Sequence, residues 1–420
     1  MRMKCRFVAG LLLGSLAILT SCSNNNNTTT NPGPSGTGFL WVAAQGNSTV
    51  SAYTLDLTNG EPTQNSNAID GAISPSAMVI SPDGKTIFVA DKVVDSNGNY
   101  NILSYGVNAN GTLTPGSKTA LTNAINPAGL AFDPTGKILF VANQGSALPS
   151  GNASPHGVPP PPPSCMPAVA ECGNISVFTV SGTTLTELAG SPFNDVDPNN
   201  PVVAGPTSLA VTPTGSFLYV TNQFTSTVSA FQYDSTGALT KQPQFTYLAG
   251  SNPAGMALSR SIMVNNQITQ PHYLYVANSG SSNITGFAVC DVVSVNCLTP
   301  TGQLTEITGS PFPAGLGPVA IAVNPVYNGF YVVDQGSNEI SMYKWASTTG
   351  QLTILSPATV SAGTSPTWAQ VDTDGVWVYV ANNGGTSISI YSVGTAGPLL
   401  GPIPSGPFPV QPNPSVLVLR

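Results

Sequence analysis

The sequence predicts an all-β fold: a seven-bladed β-propeller with four-stranded blades, its ring closed by the C-terminal strand. Three observations carry this. First, a Pro-led strand phrase recurs seven times, as Pro75-Ser-Ala-Met-Val-Ile, Pro127-Ala-Gly-Leu-Ala-Phe, Pro206-Thr-Ser-Leu-Ala-Val, Pro253-Ala-Gly-Met-Ala-Leu, Pro318-Val-Ala-Ile-Ala-Val, Pro366-Thr-Trp-Ala-Gln-Val and Pro414-Ser-Val-Leu-Val-Leu. Second, most units run 47 to 56 residues between equivalent points, the length of four short strands and their turns. Third, the last copy has nothing after it and the first unit, near residue 39, has nothing before it. A C-terminal strand that completes the first blade answers both and leaves no open sheet edge.

The segments follow in order. Residues 1–21 begin with basic Arg2, Lys4 and Arg6, and Phe7 to Leu19 are an apolar stretch shorter than a membrane span. Leu19-Thr20-Ser21-Cys22 resembles a bacterial lipobox, whose cysteine is lipidated and becomes the new N-terminus; an ordinary secretion signal is the competing reading. Ser23 rather than Asp after Cys22 favours the outer membrane. Residues 22–37 are a Ser/Asn/Thr-rich tether with no apolar residue to build a core. The propeller occupies 38–420, with a Pro-rich insertion over 144–172.

Within each unit the Pro-led strand comes first and should line the axis. Its proline lacks an N–H, which is tolerable where no further strand pairs. Small residues follow where blades converge: Ala77, Gly129, Ser208, Gly255 and Ala320, with Trp368 as the exception that would plug the channel. The second strand is apolar and ends on a polar residue, as in Ile87-Phe-Val-Ala-Asp91 and Leu139-Phe-Val-Ala-Asn143. The third alternates, as in Thr227-Val-Ser-Ala-Phe231, and the fourth opens on a turn glycine, as in Gly302-Gln-Leu-Thr305. Turns such as Ser81-Pro-Asp-Gly-Lys85 supply the backbone angles between the first two strands.

Charged residues are 7% of the chain, with 43 Gly and 38 Pro, which suits short strands and tight turns. Removing the three basic residues of the signal leaves 8 Lys+Arg against 18 Asp+Glu, a net charge near −10. That excludes a basic stripe for nucleic acid. Besides Cys5 and Cys22, four cysteines remain as Cys165/Cys172 and Cys290/Cys297, and an exported protein favours two local disulfides over metal ligation.

Tyr219-Val-Thr-Asn222 is the literal YVTN repeat signature. Together with the Pro-Asp-Gly-Lys turn and the Gly-x-Leu-Thr strand it resembles the seven-bladed lactonase family, which includes 6-phosphogluconolactonases and carboxymuconate cyclases. The resemblance spans 38–420 and rests on blade-building residues. It implies lactone hydrolysis at a site combining His, Glu and Arg near the channel, but only His156, in the insertion, and His272, at the far face, are present.

By propeller topology, the loops joining second to third strands and fourth to first strands share the ligand face. Asp91, Asn143, Asn222, Asn278, Asp334 and Asn382 form a partial polar ring there, with Lys92 the cation. They are candidate ligands for a neutral polyol or a cation, or else caps on turn N–H groups. Asp91 and Asp334 are the candidate catalytic carboxylates. Asn194-Asp-Val-Asp-Pro-Asn-Asn200 alternates oxygen donors, so Asp195 and Asp197 are candidates for Ca²⁺, against a solvated turn; no other cofactor is expected. The scarcity of cations argues against a phosphorylated substrate. The leading expectation is a monomeric, lipid-anchored envelope module that binds or scaffolds an envelope partner or neutral glycan. The alternatives are a lactonase-family hydrolase for an uncharged sugar lactone, and a surface adhesin or spacer.

Overall fold

The second-strand phrases are apolar without alternation because each is covered on both faces by neighbouring blades. In the computed structural model, which describes residues 38–145, 173–195, 204–260, 263–264, 267–268, 272–294, 297–395, 397–403 and 406–420, all seven second strands are fully buried along their length. Cys22, His156, Cys165, Glu171, Cys172 and Asp197, with most of the insertion, lie outside the described residues.

Seven antiparallel sheets form a propeller, each ordered first to fourth strand outward. The inner strands are Pro75–Ile80, Pro127–Phe132, Pro206–Val211, Pro253–Leu258, Pro318–Val323, Pro366–Val371 and Pro414–Leu419. The last belongs to the blade of Gly38–Ala44, so blade 1 is built from both ends of the propeller. Leu40 pairs with Leu419 and Ala43 with Val416, and Phe39 and Arg420 exchange backbone hydrogen bonds of 2.8 and 3.0 Å. Blades 2, 4 and 6 have one long outer strand; in blades 3, 5 and 7 the outer edge is broken near Pro192, Pro311 and Pro407, which cannot donate to the ladder.

Each inner strand is bulged after its proline, as where Pro75 faces Asp91 but Ala77 faces Ala90. The bulge frees the second residue to reach the next blade. Ser76 Oγ donates to Pro127 O (2.6 Å), Thr207 Oγ1 to Pro253 O (3.1 Å) and Thr367 Oγ1 to Ser415 O (2.9 Å). The expected crowding at the third position is present: a Cβ on Gly129 would lie 2.7 Å from Thr207 O, and one on Gly255 2.5 Å from Val319 O.

A second set of stitches explains the aromatic of the second strand and the glycine of the fourth. Trp41 Nε1 donates to Gly111 O, Tyr219 OH to Gly302 O, Tyr275 OH to Gly350 O and Tyr379 OH to Gly60 O, each at 2.7 to 3.0 Å and each into the next blade. These glycines have φ of 70 to 80°, open to glycine at little cost. The rings bury their bodies between blades and satisfy their polar ends on a turn. Cys290 and Cys297 form a disulfide with Cα atoms 5.2 Å apart, in the third-to-fourth connection of blade 5.

Candidate functional site: the channel mouth

The inner strands start at one end of the axis, and this end is the mouth. In six blades the residue before the inner-strand proline is left-handed: Asn126, Gly205, Asn252, Gly317, Ser365 and Asn413, with φ of 48 to 76°. Glycine and asparagine tolerate that conformation best. The turn aims its carbonyl at the residue that follows each second strand. Gln144 N bonds to Asn126 O, Gln223 N to Gly205 O, Ser279 N to Asn252 O, Gln335 N to Gly317 O, Asn383 N to Ser365 O and Gln45 N to Asn413 O. Lys92 N bonds likewise to Ser74 O.

The mouth is thus ringed by Gln45, Lys92, Gln144, Gln223, Ser279, Gln335 and Asn383, all half-buried. Ser279 Oγ donates within its own blade, to Asn252 O (2.9 Å), and three other side chains reach the next blade. Gln144 Nε2 donates to Gln223 Oε1, Gln45 Nε2 to Ser74 Oγ (3.4 Å) and Asn383 Nδ2 to Asn413 O (3.3 Å). Lys92 makes no ion pair with any described residue, and burial depresses its ammonium below the usual lysine range. This ring is a set of neutral donors and acceptors around one cation. It can hold a hydroxyl-rich molecule and polarise one oxygen of it.

The ring anticipated from the sequence lies one residue earlier and faces inward to the blades. Asp91 is buried and its carboxylate accepts from the backbone N–H groups of Ile73 and Ser74 (both 2.9 Å) and Val93 (3.1 Å). Asn143 Nδ2 donates across its hairpin to Asn174 Oδ1 and Ser176 Oγ, Asn222 to Thr227 and Ser229, Asn278 to Asn283 and Thr285, and Asn382 to Ser387 and Ser389. Asn382 Oδ1 also accepts from Gly363 N at 3.1 Å, a turn cap. Asp334 is fully buried; Ser341 Oγ donates to its Oδ2 at 2.5 Å, and desolvation, reinforced by Glu339, pushes its carboxyl up to about 6. Both oxygens of Asp91 are thus taken by backbone N–H groups, while Asp334 Oδ1 has no hydrogen-bond partner among the described residues but is buried. The geometry gives these residues to hairpins and loops, and of the anticipated rim only Lys92 belongs to the mouth.

Asp195 is buried and ion-paired to Lys241 Nζ at 2.8 Å, and no cluster of potential metal ligands occurs among the described residues. His272 is buried at the far end of the axis, with Nδ1 2.5 Å from Asp291 Oδ2, so it is remote from the mouth. Arg260 and Arg420 follow the far ends of their inner strands, and no arginine among the described residues stands at the mouth. The signal that would have revealed the true ring was in the sequence: glutamine follows the second strand in four of seven blades, at 45, 144, 223 and 335.

The chain belongs to the seven-bladed β-propeller lactonase family, whose sequence model matches residues 35–148, 172–353 and 290–403. No curated protein matches it. Solved structures share the fold. A Bacteroides uniformis protein assigned as a 6-phosphogluconolactonase superposes with a TM-score of 0.69 at 16% identity, covering 91% of this chain and 99% of its own. A periplasmic gluconolactonase of Pseudomonas aeruginosa gives 0.67 at 19% identity, covering 91% and 99%. A Desulfotomaculum acetoxidans protein of unknown function gives 0.61 at 12%, covering 92% and 99%.

Proposed function

We propose that this chain is a hydrolase that opens an unphosphorylated sugar lactone at the channel mouth. The observation that carries the reading is the ring of neutral side chains that includes Lys92, which pairs with no described acidic residue. A phosphorylated ligand calls for clustered arginine or lysine, whereas one cation matches one developing oxyanion. The structural neighbours named for both phosphorylated and unphosphorylated gluconolactones make that distinction the relevant one. In this reading the amides of Gln45, Gln144, Gln223, Gln335 and Asn383 hold the sugar hydroxyls. Protonated Lys92 faces the lactone carbonyl and stabilises the oxyanion as water adds, and its partial burial strengthens that attraction. The oxyanion collapses, the ring C–O bond breaks, and the departing ring oxygen takes up the proton lost by the attacking water, leaving a hydroxy acid. Activity should fall as pH rises through the depressed pKa of Lys92, because only the ammonium does this work.

The test is Lys92→Gln, which installs the residue that four other blades carry and so preserves the fold. Proton release from glucono-δ-lactone should drop about a hundredfold, the usual effect of deleting one oxyanion donor. An unchanged rate would remove Lys92 from the mechanism.

A binding role for an envelope partner is the second reading, favoured by an apolar fringe on the mouth face: Ile73, Val94, Phe224 and Leu316 are 52, 42, 39 and 63% exposed. It predicts that Phe224→Ser with Leu316→Ser abolishes cross-links to an envelope protein in intact cells; unchanged cross-linking would refute it. We further propose that Cys22 carries the lipid that tethers the propeller to the envelope, on the strength of the signal's form.

A further inference from the structure

At the end opposite the mouth, loops join first to second and third to fourth strands. Among the described residues, the large apolar side chains exposed in these loops all lie on three consecutive blades. Val293 and Leu298 of blade 5 are 71 and 83% exposed, Val326 of blade 6 is 47% and Leu399 of blade 7 is 38%. The far-end loops of blades 1 to 4 expose charge instead, on Asp56, Asp83, Lys85, Lys137 and Asp234. Those of blades 5 to 7 expose only the charge of Asp374 among the described residues; Arg260 is half-buried and donates to Asn328 Oδ1 at 2.9 Å.

The backbone that displays these apolar side chains is fixed. The Cys290–Cys297 disulfide closes the loop of Val293, and Leu298 follows it directly. Ser294 N donates to Cys297 O at 2.8 Å, and the buried Asp291 of the same loop is hydrogen-bonded to His272. Tyr327 OH donates to Thr395 O at 3.4 Å, which joins the loops of Val326 and Leu399 across blades 6 and 7. A large apolar side chain held outward on a fixed loop marks a contact surface.

The course of the chain says what covers it. Phe39 exchanges backbone hydrogen bonds with Arg420 at the far end and Ala44 pairs with Pro414 at the mouth, so the chain enters the propeller at Gly38 from the far end. Cys22, the proposed lipid site, lies sixteen residues before Gly38. A Ser/Asn/Thr-rich coil of that length spans about 20–24 Å on average. An anchor at Cys22 therefore holds a bilayer beside this end.

We propose that the far end docks on the lipid bilayer, with Val293, Leu298, Val326 and Leu399 entering the boundary between headgroups and acyl chains. This docking rests on the proposal that Cys22 carries a lipid. Because these loops expose little charge, a neutral phospholipid surface suffices. The mouth then points away from the membrane and stays open to dissolved substrate.

Photo-cross-linking tests this. The full chain, processed in a bacterial envelope, is reconstituted into phosphatidylcholine vesicles that carry a radiolabelled phospholipid. The photo-reactive p-benzoylphenylalanine replaces one residue at a time: Leu298, Val326 or Leu399 at the far end, Ile73 or Leu316 at the mouth. All are exposed, so the replacements spare the core. Flotation with the vesicles reads the anchor, and lipid adducts read the docked face. The chain should float, and the far-end positions should yield about fivefold more lipid adduct than the mouth positions. A chain that does not float overturns the anchor and the docking with it. A chain that floats without that excess, or that cross-links to a second copy of itself in place of lipid, keeps the anchor and overturns the docking.

Discussion

Asp334 stands where four other blades carry asparagine, fully buried against Ser341 and the backbone of Gly315. Its charge is costly there, which is why its carboxyl is held up to about 6. The unfolded carboxyl loses its proton near pH 4, while the folded one keeps it to about pH 6. The native state therefore binds the proton more tightly, and stability declines as pH rises from about 4 through 6, then levels off. Asp334→Asn restores the amide that Asn222 and Asn382 use toward the serine seven residues on. The variant should be more stable than wild type by about 2 kcal/mol at pH 8, with the difference fading toward pH 4. Urea unfolding at the two pH values measures this, and a gain that does not depend on pH would place the effect elsewhere.

At the scale of elements, neighbouring blades are coupled through polar contacts that repeat around the ring. The hydroxyl of Tyr275 crosses to the turn of Gly350 in the next blade at 2.7 Å. Tyr275→Phe keeps the buried ring and strands that carbonyl, so it should cost about 1 kcal/mol, or about 2 °C in melting temperature for a domain this large. Tyr331 is a natural control, since its buried hydroxyl approaches the side chain of Asn324 in its own blade and reaches no turn of the next blade among the described residues, and Tyr331→Phe should cost less. A melting series of the two variants decides this, and equal losses would deny the stitch. The strand phrases were legible because they obey local rules: continuous apolarity for the doubly covered second strand, and a turn glycine with positive φ at residue 302 or 350. The mouth ring was harder to read. Strand-end polar residues such as Asn222 mark periodicity conspicuously, yet their buried amides donate across a hairpin, and it is the following Gln223 that faces the mouth.

At the scale of the whole molecule, ring closure was readable because the Pro414 phrase matches the six before it, and Leu40 indeed pairs with Leu419. The apolar far end was not readable, because Leu298, Val326 and Leu399 are scattered in sequence and share one end only once their blades are assembled. The partnership of His272 with Asp291 was missed for a similar reason, since neither residue belongs to a repeat phrase. The proposed tether also acts at this scale. Cys22→Ala should move the protein from the membrane pellet to the soluble fraction of fractionated cells, and a variant that stays in the pellet would exclude a lipid anchor. The most direct test of the account is a pH-stat comparison of the full-length chain on glucono-δ-lactone and its 6-phosphate. With one lysine and no arginine at the described mouth, the account predicts turnover of the unphosphorylated lactone well above its spontaneous rate, with kcat/KM higher by about tenfold or more than for the phosphate. Preference for the phosphorylated lactone, or turnover of neither, would contradict it.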